Sequence, residues 1–341
     1  MENGLTGLRL LTMVGFVFLA LGGNALLPSQ ESAQIPATTV DDAIESVQGR
    51  SPGWNVGYEH VILMPFFERE AIFKEIDSTL ETEYSNSWDL KYNPRIWFGK
   101  MNEQGLGWRF TYFNFDHNSL THATSPNALE ASFIRDSIGP DVSSDVLSIT
   151  NRLSMDTMDF ESFNQFDVGG MQFSLGGGLR YAHLAREYTA LTDLAGEFIE
   201  ASQRGFIEAS QSFDGLGPAI RFEAVRKTRR GFSMFGNARG SLMFGRESES
   251  VSGTDGGSIE TLERLRHYTV LPIMETQIGF QWQSCIGQNT MTLRAGVESQ
   301  LLVGGGGWDF TNDDDDGGAQ WAGDAGSFGL FGLVMSAAMD F

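Results

Sequence analysis

The sequence predicts an all-β protein: a transmembrane antiparallel β-barrel of about ten strands, with room for twelve. Three observations predict it. Toward its end the chain alternates strictly, with Phe331, Leu333, Met335, Ala337, Met339 and Phe341 on one face of a strand and Gly332, Val334, Ser336, Ala338 and Asp340 on the other. The connections between such strands sort into short and long ones in turn, as short periplasmic turns and long external loops do. Beyond the first 25 residues, no stretch is long and apolar enough to cross a bilayer as a helix. A mean hydropathy of -0.17 suits a barrel with a polar lumen.

The first segment reads as an export signal. Arg9 precedes an apolar run over residues 10–21, and Gly23, Asn24 and Ala25 offer small residues for cleavage, with Ala33 a later cleavage point. The run is shorter than the roughly 17–25 residues of a spanning helix; a buried amino-terminal helix is the alternative. The expected organisation is a signal peptide over 1–25, a flexible periplasmic leader over 26–50 and a barrel over 51–341.

The first strand starts near Trp54 and runs to about 67, with Trp54, Val56 and Tyr58 opposite Asn55, Gly57 and Glu59. The second covers 89–101. The third sets Trp108, Phe110 and Tyr112 against Arg109 and Thr111; the change of face at Phe113 and Phe115 predicts a bulge or emergence from the membrane. A fourth, interrupted by Asp156, Asp159 and Glu161, covers 151–163. The fifth places Leu179 and Tyr181 opposite Arg180, and the sixth places Phe222 opposite Arg221 and Glu223. The seventh centres on Arg239, the eighth sets Phe280 and Trp282 against Glu275, and the ninth carries Arg294 and Glu298. The tenth is the alternating strand that ends at Phe341, the expected barrel-insertion terminus. Short connections fall near 102–105, 164–169, 226–230 and 284–288, and long ones near 69–88, 117–150, 189–211, 247–266 and 303–326. The regions 60–88 and 117–150 could hide a further hairpin or strand, and 190–203 has helical spacing.

Composition narrows the function. There are 44 acidic and 23 basic side chains, and the net charge of -21 disfavours a nucleic-acid surface. The single Cys285 excludes an internal disulfide. Forty-one glycines and 26 phenylalanines fit a barrel that needs interior room and an aromatic exterior.

Several segments then carry a resemblance: Asn93-Pro94-Arg95-Ile96-Trp97-Phe98-Gly99, residues 107–113, Gly178-Leu179-Arg180-Tyr181-Ala182, Gly217-Pro218 and residues 236–245. In this order they resemble the Legionella major outer membrane protein-like family of pore-forming proteins, in the style of its planctomycete relatives. The resemblance spans roughly 54–341, although 117–150 fits no family segment. It implies an outer-membrane barrel with a porin-like role, moving small solutes without chemistry.

Parity places Arg109, Arg180, Arg221, Glu223, Arg239, Glu275, Arg294 and Glu298 in the lumen. Trp108, Phe110, Tyr112, Leu179, Tyr181, Phe222, Phe280, Trp282 and Phe331 fall on the lipid face. An arginine facing lipid would cost about 2–4 kcal/mol at the midplane. Arg180 and Arg239 are expected nearest a constriction, partly paired with Glu223 or Glu275. The expected function is passive diffusion of ions or small hydrophilic solutes through a narrow charged lumen. The alternative is a barrel plugged by ion pairs that acts as a surface adhesion or structural scaffold.

No catalytic residues are assigned. A remote alternative, a rim hydrolase, would draw on Asp116 and His117 with His122, Asp89, Asp214 and His267, but adjacent strand residues face opposite ways. No cofactor is expected beyond weak Ca²⁺ or Mg²⁺ ligation by Asp313, Asp314, Asp315 and Asp316. Their spacing misses the calcium-loop pattern, so a solvated acidic loop is the simpler reading. The expected partners are outer-membrane lipid, the insertion machinery and small solutes or ions, with a homo-oligomer left open.

Overall fold

The computed structural model describes residues 53–68, 72–77, 80–124, 128–131, 146–193, 206–228, 231–254, 260–305 and 326–341. The expected signal peptide, the leader and the acidic run Asp313–Asp316 lie outside the described residues.

Thirteen strands occur among them: β1 (Gly53–Phe67), β2 (Phe73–Asp77), β3 (Leu80–Tyr84), β4 (Lys91–Met101), β5 (Leu106–Thr124), β6 (Ala128–Ala131), β7 (Val146–Val168), β8 (Met171–Asp193), β9 (Phe206–Lys227), β10 (Phe232–Thr254), β11 (Glu260–Ile286), β12 (Asn289–Leu302) and β13 (Phe328–Asp340). Ten close into a barrel in the order β1-β13-β12-β11-β10-β9-β8-β7-β5-β4, with β4 pairing back onto β1. Every neighbouring pair is antiparallel. Closure satisfies backbone groups that an open edge would leave bare in hydrocarbon. Phe341 and Trp54 exchange both backbone hydrogen bonds, at 2.8 and 3.0 Å, so the seam continues to the last residue.

The remaining strands, β2, β3 and β6, form a small separate sheet in the order β3-β2-β6. They arise within the two regions with room for hidden strands, but they cap the barrel and do not widen it. Ile72 and Phe73 pack on Leu147, Ile149, Tyr188 and Val251 at the barrel mouth. The Tyr188 hydroxyl donates to the Ile72 carbonyl at 2.8 Å.

At the opposite end the connections are tight. Val168 faces Met171 across Gly169 and Gly170, whose φ values of 58° and 78° meet the two left-handed positions of a two-residue hairpin. These short turns define the periplasmic end.

The strands run further than the sequence predicts, and the long loops shrink accordingly. Residues 190–193, expected to open a helix, complete β8, while 194–203 lie outside the described residues. β7, β8 and β10 have 23 residues each, and β11 has 27. A spanning strand needs only about 9–11, so more than ten residues of each project beyond the membrane. The projecting part has an apolar core of its own on the inner face, notably Tyr188, Ala190, Ile207, Ala209 and Val251.

At Phe113 and Phe115 there is no bulge. β5 pairs with β7 in unbroken register from Leu106 to Thr124. The face change has two simultaneous causes: the outer face turns polar at Asn114 and Asp116 as the strand leaves the membrane, and the inner face turns apolar.

Candidate functional site

Strand parity sorts the barrel wall into an outer and an inner face. Leu179, Tyr181, Phe280 and Phe331 are exposed on the outer surface. Trp108, Phe110, Tyr112, Phe222 and Trp282 lie on the same outer face, half-covered by neighbouring side chains; Trp108 packs edge-on against Trp54 and Phe98. On the inner face Arg180 is 1% exposed and Glu298 is 1% exposed.

The lumen is built in layers. Around its middle lies a charged belt of six arginines (Arg95, Arg109, Arg180, Arg221, Arg239, Arg294) and six carboxylates (Glu59, Asp159, Glu161, Glu223, Glu275, Glu298). All eight inward residues predicted from parity belong to it. Four others, Glu59, Arg95, Asp159 and Glu161, were not assigned there. Asp159 and Glu161 had read as interruptions of a strand. Yet they share the odd parity of Leu153 and Met155, opposite the outward Met158 and Phe160, and this was the available signal.

Of the two expected partners, Glu275 is reached by both Arg180 and Arg239, at 2.5 and 3.4 Å, and Glu223 is not among their close partners. Arg180 forks onto Asp159, donating through Nε at 2.6 Å and Nη2 at 3.0 Å, and sends Nη1 to Glu275 at 2.5 Å. Arg239 donates to the second Asp159 oxygen at 3.0 Å and lies 3.0 Å from Glu161. Glu223 is instead claimed by Arg221 and, at 2.7 Å, by Arg294. Across the barrel seam Arg95 holds Glu59 at 2.7 Å and Glu298 at 2.6 Å, while Gln277 and Gln300 complete the Glu298 shell at 2.7 and 2.6 Å. Arginine forks matched to carboxylates in this way are the strong form of charged hydrogen bond.

On the external side of the belt the lumen is filled by an apolar layer, beyond which Asn151, Arg186, Gln211 and Glu247 are also buried on the inner face. Val61, Leu63, Phe113, Phe115, Leu153, Met155, Leu184, Phe213, Met243, Leu271, Phe328 and Leu330 form one packed cluster, none more than 4% exposed. Arg95 caps its underside, with its guanidinium 4.6 Å from the Phe113 ring centre. Below this layer the belt holds a cavity of about 40 Å³, and the turn end a larger one of about 150 Å³. The inward glycines make room at close approaches. A Cβ on Gly57 would lie 2.0 Å from the Trp97 ring, whose Nε1 donates to Asn55 at 2.8 Å.

The rim residues do not assemble around one cleft. Asp116 points outward to Arg152 at 3.0 Å, whereas His117 is buried beside the Asp89 carbonyl at 2.6 Å. Asp214 instead meets His183 at 2.8 Å and accepts from Tyr181 at 2.9 Å on the outer surface. His122 contacts Ser148, and His267 lies 3.2 Å from Glu247. Among the described residues no group of three metal-ligating side chains occurs.

A closed ten-stranded barrel with an apolar exterior, short turns at one end and long strands at the other defines an outer-membrane β-barrel protein. The particular family follows from its sequence. The model described as Legionella pneumophila major outer membrane protein precursor matches residues 47–335, and the chain belongs to this family. No curated protein matches it significantly. Among solved structures it is similar to the outer membrane protease OmpT from Escherichia coli (8% identity, TM-score 0.41, covering 86% of this chain and 99% of that one). It is also similar to a major outer membrane protein from Thermus thermophilus (9%, 0.34, 86% and 100%) and to the Pseudomonas putida toluene transporter TodX (8%, 0.27, 88% and 92%). Likenesses this distant carry no argument about activity.

Proposed function

We propose that the protein is a closed outer-membrane barrel that serves as a structural and surface-presenting scaffold, holding its external sheet and loops above the membrane for adhesion or envelope support. The apolar layer in the external half of the lumen carries this reading. A water path would have to cross Val61, Leu63, Phe113, Phe115 and Phe328, all nearly solvent-free. Beneath it, six arginines are balanced by six carboxylates, so the belt has no surplus charge to select a permeant ion. The long strands support the same reading. Continuing more than ten residues past the hydrocarbon, they form a pillar with its own dry core.

A second reading, the porin-like channel for ions or small hydrophilic solutes, draws on the two cavities in the periplasmic half. It requires the apolar layer to part. Catalysis has no role in the proposal, because the candidate rim residues are engaged separately. Its partners are outer-membrane lipid, the insertion machinery and whatever the external loops bind; by the style of its strand segments we also group the chain with planctomycete-type relatives.

Planar-bilayer recording of the purified, refolded chain tests the proposal. The expected result is no discrete conductance above background in several salts. Reproducible single-channel steps would reject the scaffold in favour of the channel.

A further inference from the structure

The 150 Å³ cavity at the periplasmic end of the lumen is unexplained by a scaffold role. Its inner wall carries Arg109, Arg221, Arg294, Glu223 and Asp340, and it is closed on the external side by the charged belt and the apolar layer. Two of its arginines are spent on Glu223, which uses one oxygen for each. Asp340 accepts from the Asn55 amide. Arg109 is different. Its nearest carboxylate, Glu161, is 4.0 Å away, its Nε makes no hydrogen bond, and its guanidinium rests 5.6 Å from the Phe163 ring centre.

Two glutamines of the same wall share this condition. Gln172 is 7% exposed and Gln281 is 2% exposed, yet Gln172 Nε2 and Gln281 Oε1 have no hydrogen-bond partner. Buried polar groups are ordinarily paired. One cavity thus gathers an under-paired guanidinium, an amide donor and an amide acceptor.

We propose that this vestibule binds a small oxyanion from the periplasmic side, with Arg109 as the main contact. A guanidinium presents parallel N–H donors that match two oxygens of one carboxylate or phosphate, which a spherical halide cannot do. Gln172 supplies a further donor. Gln281 lies on the same wall as an acceptor for a protonated oxygen, which hydrogen phosphate carries. The site is independent of conduction, because it lies on the periplasmic side of the apolar layer.

Isothermal titration of the refolded chain in phosphate-free detergent with inorganic phosphate, at constant ionic strength set by sodium chloride, tests it. Saturable one-site binding is expected. Arg109→Gln should weaken it by about tenfold or more and Gln172→Leu by about threefold. Arg152→Gln should leave it unchanged, since Arg152 lies on the outer surface at the other end of the barrel, paired with Asp116. Heat-modifiable migration in detergent gels verifies that each variant is folded; if Arg109→Gln does not fold, Gln172→Leu decides alone. No saturable heat, equal competition by chloride, or wild-type affinity in a folded Gln172→Leu or Arg109→Gln variant would overturn the proposal.

Discussion

Replacing Asp159 with asparagine tests whether the charged belt is dry. Asp159 is 1% exposed, and its two oxygens take three arginine hydrogen bonds, at 2.6 and 3.0 Å from Arg180 and 3.0 Å from Arg239. Asparagine keeps the shape but removes the charge, leaving six inward arginines against five carboxylates. Removing one partner of a buried pair costs about 3–5 kcal/mol because the other charge stays desolvated. In a water-filled lumen the same change would cost about 0–1 kcal/mol, as at exposed pairs. Urea unfolding of the barrel from lipid vesicles, followed by tryptophan fluorescence, separates the two. With a denaturant dependence of about 3 kcal/mol per M, the dry belt lowers the midpoint by roughly 1–1.7 M. Asp156→Asn is the control, because Asp156 lies on the outer face with Tyr112 and Asn114, and should shift it by less than about 0.3 M. Adding Arg239→Met to Asp159→Asn restores charge balance and should recover part of the loss. A midpoint for Asp159→Asn no lower than that of the control would refute the dry belt.

Three other outcomes are expected. Phe115→Ala, at a fully buried site in the apolar layer, should cost about 3–5 kcal/mol in the same unfolding assay; combined with Leu153→Ala and Phe328→Ala in a folded variant, it should produce bilayer conductance absent from the parent. Leu179→Arg, on the lipid face beside the inward Arg180, should lose about 2–4 kcal/mol and lower the heat-modifiable fraction after insertion into vesicles, with unchanged insertion counting against the facing assignment. Gly57→Ala should displace Trp97 from its hydrogen bond with Asn55, at a cost of about 1–3 kcal/mol, and red-shift the tryptophan emission.

The barrel itself was legible because its main signal is local. Period-2 alternation in β8, β12 and β13 needs no knowledge of neighbours; in the structure Leu179 is exposed and Arg180 buried. The sorted turns then require closure. Parity was less informative where it met two apolar faces. At Tyr112 and Phe113 one aromatic ring faces outward near the membrane border and the next faces a dry lumen, and hydrophobicity is the same signal in both places. The external plug was therefore hidden: Phe113 and Phe115 read equally as a bulge or as the strand leaving the membrane, whereas β5 pairs with β7 without a break and buries both rings on the inner face.

Partner choice was illegible for a different reason. Arg95 and Glu298 are on β4 and β12, which are separated in the wall by β1 and β13 and meet only because the sheet closes. No spacing in the sequence encodes that contact. Charge parity without the partners left the choice between a lined channel and a filled one open. The missing members support the filled lumen we propose: Glu59, Asp159 and Glu161 add three inward carboxylates and Arg95 one inward arginine, turning an apparent basic stripe into a balanced network. An excess of arginine would require water or anions along the passage. A matched set under a packed apolar layer requires neither, and the belt arginine held most loosely, Arg109 at 4.0 Å from Glu161, lies where the lumen opens toward the periplasm.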